Sequence, residues 1–65
     1  SVFASTISSA EEARARGDFS KALFAYLKAQ ELYPASFFAQ EGIETSVQEI
    51  LASRQAQSGS VALSP

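Results

Sequence analysis

Residues 17–34, GDFSKALFAYLKAQELYP, decide the fold predicted for this chain. Gly17 and Asp18 form a turn signal, in which a glycine ends one helix and an aspartate caps the next. The run that follows repeats small, aliphatic and aromatic residues at spacings of three and four, which is the period of one helix face. Pro34 ends the run, because the residue before a proline is pushed out of the helical region. The stretch therefore predicts a helix over residues 19–32.

The segment before Gly17 also has helical periodicity. Phe3, Ile7, Ala10 and Ala13 recur on one face and predict a first helix over residues 2–16. The pair Ser9 and Glu12 also fits a capping box, which would start the helix later. That shorter helix would have only two turns, so the longer one is favoured.

A third helix is predicted over residues 37–54, with Ser36 as its cap. Gly42 lies inside it and costs about 1 kcal/mol relative to alanine. Two interpretations of this glycine stay open: either it allows another helix to approach closely, or it is merely tolerated. The expected inner stripe consists of Ala39, Ile43, Val47, Ile50 and Leu51, and Glu41, Glu44 and Glu49 are expected mostly on the outer side.

Beyond residue 54 the periodicity stops. The segment 55–65, QAQSGSVALSP, is rich in serine and ends in proline, so it is interpreted as a flexible C-terminal tail. Residues 1–54 would then form one three-helix domain. The chain starts without methionine, and we expect it to be a fragment of a larger protein.

Composition excludes several classes of function. The net charge of −2 and the pI near 4.8 argue against nucleic-acid binding, which needs clustered Lys and Arg. No apolar run is long enough for membrane insertion. Cysteine and histidine are both absent, which removes thiolate nucleophiles, imidazole bases and the usual zinc ligands. No cofactor is expected, and the compartment is left open, with the cytoplasm slightly favoured.

The carboxylates do not form a recognisable catalytic pair. Glu11 and Glu12 are adjacent, so they point about 100° apart on a helix. Glu41 and Glu44 share a face, but a solvated surface explains them better than a metal or acid/base site. Serine and threonine are numerous, yet no histidine is present to activate them. An enzyme is therefore not expected.

The pattern over residues 3–36 resembles a tetratricopeptide repeat (TPR), a pair of antiparallel helices that stacks on its neighbours. Ala22 and Ala29 match the small positions of the repeat's second helix, and Tyr26 matches the aromatic between them. Ala10 matches the small position where the first helix crosses the second. The resemblance implies an all-α fold, in which a TPR-like antiparallel helical hairpin is followed by a third, capping helix. It also implies that Ala10, Ala22, Tyr26 and Ala29 are helix-packing residues.

The first helix departs from the TPR pattern. Family positions for a large aromatic and a leucine fall on Thr6 and Ser9, so Phe3 and Ile7 would have to supply the anchors. Some family members clamp an acidic peptide with Lys and Asn on the concave face. The matching positions here, near Ala4, Ile7, Glu11 and Arg14, do not provide that clamp.

The aromatic residues are many for three short helices. Phe24 lies on the far side of the second helix from Tyr26, and Phe37 and Phe38 are adjacent, so they do not share one core face. A contiguous exposed apolar patch is typical of an interaction site. The candidate interface residues are Phe3, Ile7, Phe24, Phe37 and Phe38.

The sequence therefore predicts a non-catalytic protein–protein interaction or assembly module. Its expected partner is another protein or a peptide, and a homo-oligomer is an open alternative, in which the chain is a small dimerisation domain. A second alternative is a three-helix domain of the microtubule interacting and trafficking type, which binds helical peptides. Pro34 favours the repeat, because that module usually continues its helix without a proline.

Overall fold

A computed structural model describes the backbone of residues 1–62 and the side chains of residues 1–56. The described residues form three α-helices, namely α1 (Val2–Ala15), α2 (Phe19–Leu32) and α3 (Phe37–Ala62). α2 packs against both α1 and α3, so it forms the middle of the fold. The prediction of an all-α fold with a helical hairpin and a third helix is confirmed.

The turn between α1 and α2 follows from Gly17. This residue has a φ of +79°, a conformation that glycine adopts without the steric cost of a Cβ atom. The amide of Gly17 donates to the Arg14 carbonyl at 2.9 Å, and that of Asp18 donates to the Ala13 carbonyl at 2.9 Å. These two bonds make a Schellman motif, which satisfies the last carbonyls of α1. The turn signal in the sequence therefore corresponds to a defined helix end.

Side chains cap the start of each helix. Asp18 Oδ1 accepts from the Lys21 amide at 3.3 Å, and Ser36 Oγ accepts from the Ala39 amide at 3.4 Å. Ser1 Oγ accepts from the Ala4 amide at 3.2 Å, so α1 begins at Val2 and not after Ser9. At the end of α2, Tyr33 is extended, with φ −141° and ψ 87°, as expected before a proline.

The open end of the hairpin is closed by two aromatic rings. Phe3, near the start of α1, meets Tyr33, just after α2, edge to face with ring centroids 5.1 Å apart and an interplanar angle of 86°. Such pairs contribute about 0.5–1.5 kcal/mol beyond their buried area. The contact ties the first turn of α1 to the last turn of α2 and fixes their antiparallel alignment.

The core consists mainly of small residues. One cluster of buried side chains joins Ala10, Ala13, Ala22 and Tyr26, and the half-buried Ile7, Ala25 and Ile43 pack against it. Ala29 and Ala39 are also buried. All four residues assigned to helix packing from the sequence are therefore inside. Because alanine keeps the backbones close together, the helices interlock with little side-chain volume between them.

The third helix is longer than the sequence predicted. α3 continues past Arg54 to Ala62, so the backbone of residues 55–62 is helical where a tail was expected. Gln and Ala support a helix, and no proline occurs between residues 35 and 64, so Gly59 alone does not stop it. The side chains of residues 57–62 and the whole of residues 63–65 lie outside the described part of the chain.

The buried face of α3 contains one polar side chain. Ser46 is fully buried, and its Oγ has no hydrogen-bond partner among the described residues. An unsatisfied buried polar group reduces stability, whereas removing it without a change of shape is neutral or stabilising. The sequence pattern did not single out this residue, because serine is unremarkable on a helix that is rich in polar residues.

We expect Ala22→Leu to lower the free energy of unfolding by about 1–3 kcal/mol, because a larger side chain overpacks the fully buried Ala22 position. Thermal or urea unfolding followed by circular dichroism measures the change. Ala52→Leu is the matched control, since Ala52 is exposed on α3. Its effect should stay within about 0.5 kcal/mol. Equal melting curves for wild type and Ala22→Leu would contradict this packing.

We expect Ser46→Ala to raise the free energy of unfolding by about 1 kcal/mol, because it removes the unpaired hydroxyl and leaves the shape of the interface intact. Ser53→Ala, at an exposed position of the same helix, controls for the gain in helix propensity. The difference between the two variants isolates the burial effect. A stabilisation no greater at residue 46 than at residue 53 would show that the hydroxyl is satisfied.

Candidate functional site

An apolar groove lies between α2 and α3, on a surface that α1 does not line. Its volume is about 320 Å³. Phe24 is 71% exposed, Val47 38% and Leu51 50%, which leaves large apolar side chains open to water. We call this surface the α2–α3 groove; it is lined by Ser20, Leu23, Phe24, Val47, Ile50, Leu51 and Arg54.

The groove exists because α3 meets α2 through its small residues. Ala39 and Ser46 are fully buried, whereas Val47 and Leu51 lie about 80–140° further round the helix. The sequence analysis placed Val47 and Leu51 in the inner stripe of α3, and for these two residues that placement is wrong. A single α2 helix covers only part of the stripe, so its edge stays open.

The two adjacent phenylalanines at the start of α3 are both exposed. Phe37 is 70% and Phe38 74% accessible. Phe38 lies at the rim of a pocket between α1 and α3, but Phe37 lines none of the grooves described here. The candidate interface residues Phe24, Phe37 and Phe38 are therefore on different surfaces, and the structure does not bring them together.

The other two candidate interface residues, Phe3 and Ile7, are half-buried. Phe3 packs on Tyr33, and Ile7 packs against the alanine cluster. Both therefore serve mainly as anchors of α1 within the fold. This agrees with the expectation that they replace the large side chains missing from the first helix. Phe3 also lines a shallow pocket of about 490 Å³ with Tyr33 and Ser36, and Ile7 lines the pocket between α1 and α3.

A second, smaller pocket lies between α1 and α3, and we call it the α1–α3 pocket. It has a volume of about 140 Å³, and its lining includes Ile7, Glu11 and Arg14 of α1 with Phe38 and Glu41 of α3. Three of the four concave positions named from the sequence are thus together; Ala4 is not among the lining residues. The volume is well below the roughly 300–1,000 Å³ typical of small-molecule sites.

An ion pair spans α1 and α3 at this pocket. Arg14 Nε donates to Glu49 Oε1 at 2.9 Å, with both side chains about one-third exposed. The Glu49 carboxylate, with a smaller contribution from the Tyr26 hydroxyl, raises the pKa of Arg14 above its ordinary value. The expectation that Glu49 lies on the outer side of α3 is wrong, because its carboxylate pairs with Arg14 of α1. Partly exposed pairs contribute only about 0–1 kcal/mol.

Tyr26 and Gly42 form the floor of the pocket. A Cβ atom built at Gly42 would lie within 2.6 Å of three Tyr26 ring carbons, so only glycine leaves room for the ring. Tyr26 itself is 4% exposed. Of the two interpretations left open for Gly42, the structure selects the close approach. The approaching group is an aromatic side chain of α2, which sequence spacing did not identify.

The four glutamates considered as catalytic candidates from the sequence are all exposed. Glu11 and Glu41 line the α1–α3 pocket, and Glu12 and Glu44 are exposed away from it. No group of three or more His, Cys, Asp or Glu residues is placed to hold a metal ion within residues 1–56. Among the described helices, none is long and apolar enough to cross a bilayer.

We expect Gly42→Ala to lower the free energy of unfolding by about 1–3 kcal/mol, because the added methyl overlaps the Tyr26 ring. This loss should appear although alanine is the better helix former by about 1 kcal/mol. A double-mutant cycle with Tyr26→Leu should show a coupling above about 0.5 kcal/mol, since the shorter side chain relieves the overlap. Gln48→Ala, at an exposed site of α3, is the control. A stabilised Gly42→Ala variant would rule out the close contact.

Comparison with protein-family models, with curated proteins and with solved structures found no match to this chain.

Proposed function

We propose that this chain is a non-catalytic protein-interaction or assembly module, in which a TPR-like hairpin and its capping helix present an apolar groove to another protein. The parent of such a module is a larger protein or assembly. The proposal rests on the α2–α3 groove as its single most important observation, with support from the packing of the helices.

The groove supports the proposal because large apolar side chains are exposed to water there. Phe24 and Leu51 leave half or more of their surface in water, and Leu27 is a further exposed apolar residue one turn from Phe24. Isolated exposed apolar residues are ordinary, but a contiguous patch beside a concave surface is typical of an interface. A long apolar groove between two helices also suits a third helix, which packs against both.

The helix arrangement supports the TPR-like part of the proposal. α2 lies between α1 and α3, as the second helix of a repeat lies between the first helices of successive repeats. Ala10, Ala22 and Ala29 are buried at the close crossings, where the resemblance requires small side chains. The break at Tyr33 and Pro34 also favours this fold over the trafficking-type module, whose second helix continues.

Self-association is the second candidate, and the small size of the core favours it. Apart from Tyr26, the fully buried hydrophobic residues among the described ones are alanines. A chain of this length buries only about 60% of its unfolded surface and gains from association. The same open groove would then receive another copy of the chain.

Binding measurements with matched variants test the proposal. We expect a protein captured by the wild-type chain to bind Phe24→Ser or Leu51→Ser about tenfold or more weakly, because exposed anchors of an interface carry most of its energy. Glu12→Gln, on the outer side of α1, should bind as wild type does. Circular dichroism checks that every variant is folded, and calorimetry of the purified pair gives the dissociation constants.

Two results would contradict the proposal. One is a partner that binds the wild type and both groove variants with equal affinity. The other is a catalytic activity of the wild-type chain that a folded Glu41→Gln or Glu44→Gln variant has lost. Neither substitution should change the free energy of unfolding by more than about 0.5 kcal/mol, as both side chains are exposed.

A further inference from the structure

Five residues of α3 share one exposed stripe at the edge of the groove. Gln40, Glu44, Val47, Leu51 and Arg54 follow one another at spacings of four, three, four and three, and each is exposed. This is the spacing by which one helix meets another side by side. The stripe lies opposite Glu49, which points to Arg14 of α1. We call these five residues the α3 stripe.

Four of the five residues of the α3 stripe are arranged symmetrically about one point. Val47 and Leu51 are equally distant along the chain from Glu49, and so are Glu44 and Arg54. In an antiparallel pair of identical helices whose two-fold axis passes at this level, Val47 faces Leu51 of the second copy. Glu44 then faces Arg54 of the second copy, and the same two contacts occur again on the other side of the axis. The stripe is thus complementary to itself.

We propose that the occupant of the α2–α3 groove is a second copy of this chain, joined through an antiparallel α3–α3 contact centred at the level of Glu49. The inference deepens the proposed interaction function and rests on it. The contact has an apolar centre made of Val47 and Leu51, and it has an ion pair between Glu44 and Arg54 at each end. This arrangement resembles a typical interface, with an apolar middle and a charged rim.

The charges also fix the direction of the pair. A parallel pairing in register would place Glu44 beside Glu44 and Arg54 beside Arg54, and like charges in contact are destabilising. The antiparallel pairing replaces both repulsions by attractions. The sign and the position of two charges therefore distinguish one arrangement of the same two helices from the other.

The stripe alone is too small for a stable dimer, so α2 has to take part. Stable interfaces bury about 1,200–2,000 Å² in total, which five residues from each helix do not supply. Leu23 and Phe24 line the same groove as Val47 and Leu51, and Phe24 is 71% exposed. A second α3 lying in the groove would cover Phe24 as well. Phe37 and Phe38 are outside this contact.

Sedimentation equilibrium of the wild-type chain and of charge variants tests the inference. The wild type should show a monomer–dimer equilibrium. Glu44→Arg and Arg54→Glu should each weaken the dimer about tenfold or more, because two attractive pairs become repulsive. The double variant Glu44→Arg/Arg54→Glu should restore the dissociation constant to within about threefold, since the exchanged charges pair again. Glu41→Arg, on another side of α3, should dimerise as wild type does.

Three other outcomes would overturn the inference, and each points to a different cause. A wild-type chain that stays monomeric would exclude a second copy as the occupant of the groove, and the interaction proposal would survive with a helix of another protein in its place. A dimer that the charge variants leave intact but that Phe37→Ser or Phe38→Ser dissociates would place self-association on another surface. A double variant as weak as the single ones would exclude the antiparallel pairing. Circular dichroism of every variant separates loss of dimer from loss of fold.

Discussion

The contact between the Tyr26 ring and Gly42 is the constraint on which the rest of the structure depends. The Tyr26 ring occupies the space that a side chain at residue 42 would need. α3 therefore contacts α2 closely where its glycine faces this ring. Ala22, one turn before Tyr26 on the same face of α2, packs with Ala10 and Ala13 of α1 in the buried cluster. A single aromatic residue thereby joins three helices, and small residues around it set the distance between them.

This type of core has a consequence for the surface. When helices meet through Ala, Gly and Ser, little apolar volume is needed inside, and the larger apolar residues lie at the edges of the contacts. Leu23 and Ile50 are half-buried, whereas Phe24 and Leu51 remain exposed. The α2–α3 groove is therefore a result of close helix packing in a chain that has no fourth helix among its described residues to cover it.

The two sides of the fold differ in how many of their side chains have partners within the chain. On the α1–α3 side, Arg14 is paired with Glu49 within the chain, and Tyr26 lines a small pocket whose rim residue Phe38 is exposed. On the α2–α3 side, the apolar groove has no internal partner among the described residues. The proposed interaction uses this second side, because burial of apolar surface is the dominant favourable term in association.

The sequence by itself determined α1, α2 and the start of α3, the turns between them and the small residues at their crossings, but it predicted a tail where α3 continues to Ala62. Gly17, Asp18 and Pro34 act through local geometry, so the bounds of α2 were predictable from the chain alone. Only the tertiary structure decided the partner of Gly42, the pairing of Arg14 with Glu49 and the exposure of the α3 edge. These depend on which side of α3 meets α2, and helical periodicity shows that a face exists without showing how much of it a neighbour covers.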